Sequence, residues 1–429
     1  MTRGRVAFVV LGCAKNQVEA ETMTARLARD GWTLTADIAS ADGVVVHSCG
    51  FLEAARTETR ETLANIRRAA PRSFLVLTGC FAQFLNNKKI PGVDAVVGTG
   101  QLDTLSDVLG SRAGPPRGSS PSGFHDGDQP RPLRPGQLSA YLRVSEGCNH
   151  RCTFCIIPQL RGSLKSRPVE DILKEAQDLT DRGVRELVVI SQDTTDYGSD
   201  QGRAGLVPLV KELVKTPARW VRLLYAYPSE VGAGLMGLLA DDPKLAGYLD
   251  MPLQHMSDRI LSAMGREWGE KKTRGLLDRL RRRVPGLALR TTFIVGFPGE
   301  TDDDFNRLRQ TVREGYFEHV GVFPYSFESR SPSARLPGGV PPEVVSERWQ
   351  RLLDENRRVK QNKDRARKGT TLDVMAERGP DGRWSVRAAH QAPDVDGEIR
   401  LRTEPSAPGF YSCRVTGVDG INLTGEWVP

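Results

Sequence analysis

The sequence predicts an α/β chain: an N-terminal doubly wound parallel sheet, a central partial (β/α)6 barrel and a C-terminal small all-β barrel. Three observations carry this. Short β-branched runs alternate with amphipathic stretches over residues 1–110. The same rhythm returns in longer units over 138–365, and 366–429 holds only short strand-like runs parted by turns. Between the first two regions lies 111–137, rich in Gly, Pro and Ser with almost no apolar periodicity, which reads as a linker.

In the first region strands are expected at 6–11, 33–38, 43–47, 74–78 and 93–98, with helices at 17–29 and 53–69. The apolar runs are continuous, the mark of strands buried on both faces of a parallel sheet. In the second region strands are expected at 140–145, 186–191, 220–225, 248–251, 287–295 and 318–325. Helices fall between them, among others at 169–181, 205–215, 270–284 and 302–314. Six successive βα units without an internal repeat point to a TIM-like barrel or part of one. A charged helix at 343–368 then leads to five short strands at 372–375, 384–389, 397–401, 411–418 and 423–427, enough for a small barrel.

Composition narrows the function. Sixty Lys and Arg against 53 Asp and Glu give a net charge of +7 and a pI of 9.1. That permits a nucleic-acid or ribonucleoprotein partner without requiring one. No apolar run approaches the ~18 residues of a membrane span, and the start lacks the apolar region of a signal peptide. Seven cysteines, an odd number, argue against a disulfide framework and for reduced thiols in a cytoplasmic protein.

The cysteines carry the chemistry. Cys148, Cys152 and Cys155 lie in Glu146-Gly-Cys-Asn-His-Arg-Cys-Thr-Phe-Cys155, spaced Cys-x3-Cys-x2-Cys with no fourth cysteine near. A closed zinc site takes four ligands, usually as two close pairs. Three thiolates on an iron–sulfur cube leave one iron open, and an open position is a place for chemistry. Upstream, Cys13, Cys49 and Cys80 each follow an expected strand, at 6–11, 43–47 and 74–78. The carboxyl ends of parallel strands share one edge, where ligands bind, so these three are expected to converge. Glycines beside them leave room for a bulky group. Three unrelated buried cysteines are the plain structural alternative.

Taken together, the two cysteine sets in this order resemble those of the methylthiotransferases of the radical S-adenosylmethionine (SAM) superfamily. The resemblance covers nearly the whole chain. It implies a methylthiotransferase domain at 1–110, a radical SAM domain at 138–365 and a TRAM-type barrel at 366–429. It implies that Cys148, Cys152 and Cys155 ligate a [4Fe–4S] cluster at which SAM is cleaved to a 5′-deoxyadenosyl radical. Cys13, Cys49 and Cys80 are then the ligands of a second [4Fe–4S] cluster, where sulfur is methylated and passed on. The stretch Arg290-Thr-Thr-Phe-Ile-Val-Gly-Phe-Pro-Gly-Glu300 resembles the family's glycine motif and places Gly296, Gly299 and Glu300 at SAM. Phe154 would flank the SAM adenine or cover the cluster, and Gln192 would join the cofactor site from the barrel rim. No catalytic residue is assigned beyond the ligands, because the cofactors supply the hard chemistry.

Gln192-Asp-Thr-Thr-Asp-Tyr-Gly198 resembles the RimO branch, which methylthiolates the β-carbon of an aspartate of ribosomal protein S-twelve. The alternative is the MiaB-type branch, which modifies tRNA adenosine and usually carries Gly-Gln-Asn-Val here. Leu223-Leu-Tyr-Ala-Tyr-Pro228, Tyr248-Leu-Asp-Met-Pro-Leu-Gln-His255 and Gln391-Ala-Pro-Asp-Val-Asp-Gly397 point to the RimO branch too. The implied partners are S-twelve in the small ribosomal subunit and a low-potential electron donor such as a flavodoxin or ferredoxin. RNA contact through the C-terminal barrel stays open. A zinc-stabilised RNA-binding module without catalysis is the rival from another class.

The chain departs from the pattern of the branch it resembles in four places. Ala14 stands where Pro is usual, Glu19-Ala20 where Asp-Ser is usual, and His47 where Asn is usual; 111–137 is also long and Pro-rich for this connection. None removes a ligand. The basic run 357–368 reads as a solvated face as readily as an RNA contact. Cys413 reads as a core cysteine and His255 as structural.

Overall fold

The computed structural model describes residues 3–86, 88, 90–115, 130–202 and 205–428. The chain divides into two compact units. One comprises 1–133, 143–167 and 328–331; the other comprises 134–142, 168–327 and 332–429.

The first unit is built on a parallel sheet. Its elements are β1 (Gly4–Val10), α1 (Ala14–Arg29), β2 (Trp32–Leu34), β3 (Gly43–Ser48), α2 (Glu53–Ala69), β4 (Phe74–Gly79), α3 (Cys80–Leu85), β5 (Ala95–Val97) and α4 (Leu105–Ser111). The strand order is β2-β1-β3-β4-β5, parallel throughout. Side chains alternate between two covered faces: Val6, Val45, Val76 and Val97 meet Met23 and Leu27, while Val44, Val46, Leu75 and Leu77 meet Leu63 and Ile66. Each such fully buried side chain stabilises the sheet by about 1.5–3 kcal/mol. The chain moves outward from β1 to β2, then returns to β3 on the other side of β1. Doubly wound sheets bind their ligands at that switch. Register pairs Val10 with His47 and Ser48 with Gly79, so β1, β3 and β4 end side by side.

The chain continues through β6 (Ser139–Arg143) to β7 (Ser145–Glu146), which pairs antiparallel with β8 (Lys165–Ser166). Between β7 and β8 lies α5 (Ile157–Arg161), with proline in its first turn and Gly162 ending it at φ +77°. Because 143–167 belongs to the first unit, that unit holds Cys148, Cys152 and Cys155 as well as Cys13, Cys49 and Cys80.

The second unit carries a six-stranded sheet in sequence order, β6-β9-β10-β11-β12-β13. Its elements are α6 (Val169–Asp181), β9 (Glu186–Ile190), α7 (Leu206–Leu213), β10 (Trp220–Leu223), α8 (Ala233–Asp241), β11 (Leu245–Asp250), α9 (Asp258–Ala263), α10 (Glu270–Arg283), β12 (Ala288–Val295), α11 (Asp302–Arg313) and β13 (His319–Pro324). Neighbours from β9 to β13 are parallel, as helical crossovers require. Among the described residues β13 does not pair with β6, so the barrel is partial. After α12 (Pro342–Ala366) come β14 (Thr371–Arg378), β15 (Trp384–Ala388), β16 (Ile399–Leu401), β17 (Gly409–Asp419) and β18 (Asn422–Trp427). They form a curled sheet ordered β15-β14-β17-β18-β16 around Val374, Val386, Val415, Leu423 and the buried Cys413.

Buried ion pairs tie these two sheets together. Glu186 on β9 accepts from Arg222 Nε at 2.7 Å and from Arg387 on β15 at 2.8 Å, and Arg387 also reaches Glu377 on β14 at 3.0 Å. The 391–397 motif docks here as well: Tyr141 donates to Asp394 at 2.7 Å and Tyr248 to Asp396 at 2.8 Å.

The expected elements are present, with shifted ends. The strand expected at 33–38 stops at Leu34 because Thr35 Oγ1 accepts from Asp37 N and Asp37 Oδ1 from Ala39 N, both at 3.1 Å. Such side-chain turns compete with a ladder. The helix expected at 343–368 ends at Ala366. The strand expected at 248–251 begins earlier, at Leu245, with Gly247 interrupting its apolar run. Short helices α3, α5 and α9 were not anticipated, having too few residues for a period. Of the linker expected at 111–137, residues 116–129 lie outside the described residues. Beyond them Arg131 is buried and paired with Glu21 at 2.6 Å. Among the described residues no helix is long and apolar enough to cross a membrane.

Candidate active site: two cysteine triplets in one unit

Cys13 caps the start of α1 just past β1, Cys49 follows β3, and Cys80 opens α3 directly after β4. The three segments approach at backbone distance. A Cβ on Gly12, whose φ is +111°, would stand 2.9 Å from Cys49 Cβ, and one on Gly50 would stand 2.5 Å from the Cys80 carbonyl oxygen. Only glycine allows that crowding. All three thiols are free, with Cys13 exposed, Cys49 half-buried and Cys80 buried. Burial pushes the Cys80 thiol up to about 12 against the opposing pull of Arg161, and burial likewise raises Cys49. Thiols held neutral in this way become thiolates when a metal takes the proton's place.

A buried charge network lies against this triplet. Arg161, at the end of α5, donates from Nε to Cys80 Sγ at 2.9 Å and from Nη2 to Asn16 Oδ1 at 3.1 Å, and its Nη1 pairs with Glu19. Glu19 also accepts from Arg143 at 2.9 Å and meets His47 Nε2 at 2.9 Å, while Arg143 reaches Glu146 at 2.7 Å. Burial raises Glu19, but Arg161, His47 and Arg143 together outweigh it and hold the carboxyl well below the usual range. On the other flank Arg56 of α2 donates to the Gly50 carbonyl at 2.9 Å and pairs with Glu328 at 2.5 Å, anchoring the turn after Cys49.

The second triplet sits in a loop fixed by its backbone. Cys148 N donates to Gly162 O at 3.2 Å, Cys155 N to Cys152 O at 3.1 Å, and Ile157 N to Cys155 Sγ at 3.4 Å. Gly147 passes so close to the Ser163 carbonyl that a Cβ would come within 2.1 Å of it. Cys148, Cys152 and Cys155 are half-buried, as is Phe154 between them.

In the second unit the glycine motif forms a turn between β12 and α11. Gly296 N donates to Glu300 Oε2 at 3.1 Å, and Gly299 N to the Gly338 carbonyl at 2.6 Å. Glu300 is buried, meeting His255 Nε2 at 3.2 Å and Arg348 at 2.8 Å. His255 Nδ1 accepts from Ser257 N at 2.9 Å, so both ring nitrogens are engaged in scaffold contacts. Gln192 follows β9 in a loop tied to its neighbour strand: Thr194 N donates to Tyr225 O at 3.0 Å and Thr195 Oγ1 accepts from Tyr227 N at 2.9 Å. Tyr225 (φ +61°) and Gln254 (φ +71°) occupy the left-handed region, and such strained residues concentrate at functional edges.

Comparison with known proteins identifies the family. Residues 142–312 match the Radical SAM superfamily, 369–428 the TRAM domain, and 5–98 a family described as Uncharacterized protein family UPF0004. The chain is 38% identical to the ribosomal protein uS12 methylthiotransferase RimO of Geotalea uraniireducens, over 99% of this chain and 98% of that one. It is 39% identical to the protein of that name from Myxococcus xanthus, over 98% and 91%. The chain belongs to the RimO methylthiotransferase family. Its relatives favour the RimO branch over the MiaB-type alternative. Among solved structures, the radical S-adenosylmethionine methyltransferase TsrM from Kitasatospora setae superposes with a TM-score of 0.59 at 16% identity, covering 84% of this chain and 90% of that one; this supports the fold alone.

As a RimO-family radical SAM enzyme the chain takes SAM and a [4Fe–4S] cluster, and the cysteine loop fits such a group: three half-buried cysteines, soft donors by chemistry, within eight residues. The upstream triplet offers a like group three soft thiol donors, on segments that Gly12 and Gly50 let approach at backbone contact. Sequence reasoning singled out the six cysteines but not Arg161, Arg143, Glu146 or Arg56, which the fold places beside them. Two signals were available, since Glu19 and His47 were singled out as departures and they meet in this network.

Proposed function

We propose that this chain methylthiolates the β-carbon of an aspartate of ribosomal protein uS12, in the small ribosomal subunit and in the cytoplasm, with two [4Fe–4S] clusters and SAM. The observation that carries this reading is the gathering of two separate three-cysteine sets into one compact unit. One set suffices to make a radical; a second is needed only if something must be carried to it.

In this reading Cys148, Cys152 and Cys155 hold the SAM-binding cluster, and Cys13, Cys49 and Cys80 hold the sulfur-carrying one. When bound, these groups supply electron transfer, radical formation and sulfur transfer. The chain's own residues position them. Phe154 covers the first cluster or flanks the SAM adenine. Gly296 and Gly299 give SAM a close backbone approach, and Glu300 acts through the turn, its carboxylate holding Gly296 N at 3.1 Å. Gln192 serves from the rim after β9. Residues 1–110, 138–365 and 366–429 are the working domains, the last docking on the substrate protein or its RNA. A flavodoxin or ferredoxin supplies the electrons.

Mass spectrometry of uS12 and of tRNA from a strain lacking this gene tests the reading. An unmodified aspartate with unchanged tRNA is the expected result. A modified aspartate with a missing tRNA methylthio group would overturn it in favour of the MiaB-type activity.

A further inference from the structure

Arg161 is not a ligand, yet its guanidinium is aimed at one. Nε lies 2.9 Å from Cys80 Sγ, Nη2 lies 3.1 Å from Asn16 Oδ1, and Nη1 pairs with Glu19 and stands 3.6 Å from Glu146 Oε2. The side chain is 3% exposed, so water does not compete for these donors. Glu19 is held in turn by Arg143 and His47, and Asn16 Nδ2 donates to the Leu11 carbonyl at 2.9 Å. The planar fork is therefore fixed at three corners. Its backbone ends α5, which follows directly on Cys155. The segment that carries one triplet thus sends a buried cation to the other.

A hydrogen bond to a ligating thiolate withdraws electron density from sulfur and favours the more reduced, more negative state of a cluster. Such bonds, net charge and burial set cluster potentials. A charged donor in a dry site is a strong form of that bond. We propose that Arg161 is a positioning residue for the group held by Cys13, Cys49 and Cys80, fixing the Cys80 thiolate through its N–H···S hydrogen bond and raising that group's reduction potential. The inference rests on reading this triplet as the site of a second [4Fe–4S] cluster.

Replacing Cys148, Cys152 and Cys155 together by Ala leaves the second cluster alone in the full chain. After anaerobic reconstitution, iron analysis and an EPR-monitored redox titration are run in this background with Arg161 intact, with Arg161→Gln and with Arg161→Lys. About four irons per chain are expected with Arg161 intact. Arg161→Gln should cut the reduced-to-oxidised ratio at a fixed potential at least tenfold, a downward shift of about 59 mV for a one-electron couple. Arg161→Lys keeps the charge but not the fork and should fall between. An unchanged potential at full iron content overturns the inference and leaves the second cluster standing. No bound iron with Arg161 intact overturns both. If Arg161→Gln does not load iron, Arg161→Lys decides by the same rule: a lowered potential supports the inference and an unchanged one overturns it.

Discussion

His47 Nε2 lies 2.9 Å from Glu19 Oε2, and both side chains are buried. These are two of the positions where the sequence leaves the pattern of its branch, and the fold makes them one unit. The longer carboxylate reaches the imidazole with one oxygen while the other accepts from Arg143 and Arg161. His47→Asn and Glu19→Asp should each weaken the first unit by about 1–3 kcal/mol, since each leaves a buried polar group short of a partner. The double variant should lose less than the sum, with a coupling of about 0.5–3 kcal/mol. A double-mutant cycle in urea checks this; additive losses would mean that the two departures are unrelated.

The two triplets should separate in function. Cys148→Ala is expected to abolish reductive cleavage of SAM, because no cluster then binds it. Cys13→Ala should leave cleavage measurable and stop methylthio transfer. Product analysis of 5′-deoxyadenosine and of the modified peptide reads both. If the two variants lost or kept cleavage together, the division of labour proposed here would fail.

How much of this was legible beforehand depended on sequence distance. The strands at 43–47 and 74–78 were readable from their short apolar runs, Val44–Val46 and Phe74–Leu77, and the cysteines after them because a parallel sheet aligns strand ends. Arg161 was not readable. Its partners Glu19 and Asn16 lie 142 and 145 residues away, and no local pattern encodes such a pairing. Glu328, which meets Arg56 from 272 residues away, was missed for the same reason. The five short strands of the last sheet were found from their turns, while α3 and α5 gave no period to find.

Glu186→Gln should destabilise the second unit by about 3–5 kcal/mol. It leaves the Arg222 and Arg387 guanidinium groups, 0% and 2% exposed, without their shared counter-charge. The midpoint of chemical denaturation should fall, with fluorescence of Trp220 on the neighbouring strand as a local probe. A shift within ~0.5 kcal/mol would place the pair among the ion pairs that contribute little.

Acid should loosen the second unit in two steps. Burial lowers His319 below its ordinary 6.5 despite Asp396, and burial lowers His390 further. Below about pH 6.5 the unfolded chain therefore binds protons that the folded one refuses, and stability falls as pH falls. Glu186 is raised by burial but held below its ordinary 4.5 overall by Arg222 and Arg387. Its contribution is complete above that value and lost as pH falls through the folded value. Thermal unfolding at pH 7.5, 6 and 5 should show a drop that His319→Gln diminishes; an identical profile in that variant would rule out the first step.

Gly296 separates two explanations of its own motif. Its φ is +77°, and a Cβ there would stand 2.4 Å from Val345 Cγ2 on α12. Gly296→Ala must push the β12–α11 turn off that helix and disturb the backbone N–H that Glu300 holds. SAM affinity should fall about tenfold or more, read by equilibrium binding to the reconstituted enzyme. If packing against α12 is the cause, Val345→Ala in the same chain removes the clash and recovers most of the loss. The left-handed backbone penalty, about 1–2 kcal/mol, would then remain as lost folding stability. If Val345→Ala recovers nothing, the methyl group collides with SAM itself, and Gly296 faces the cofactor rather than the helix behind it.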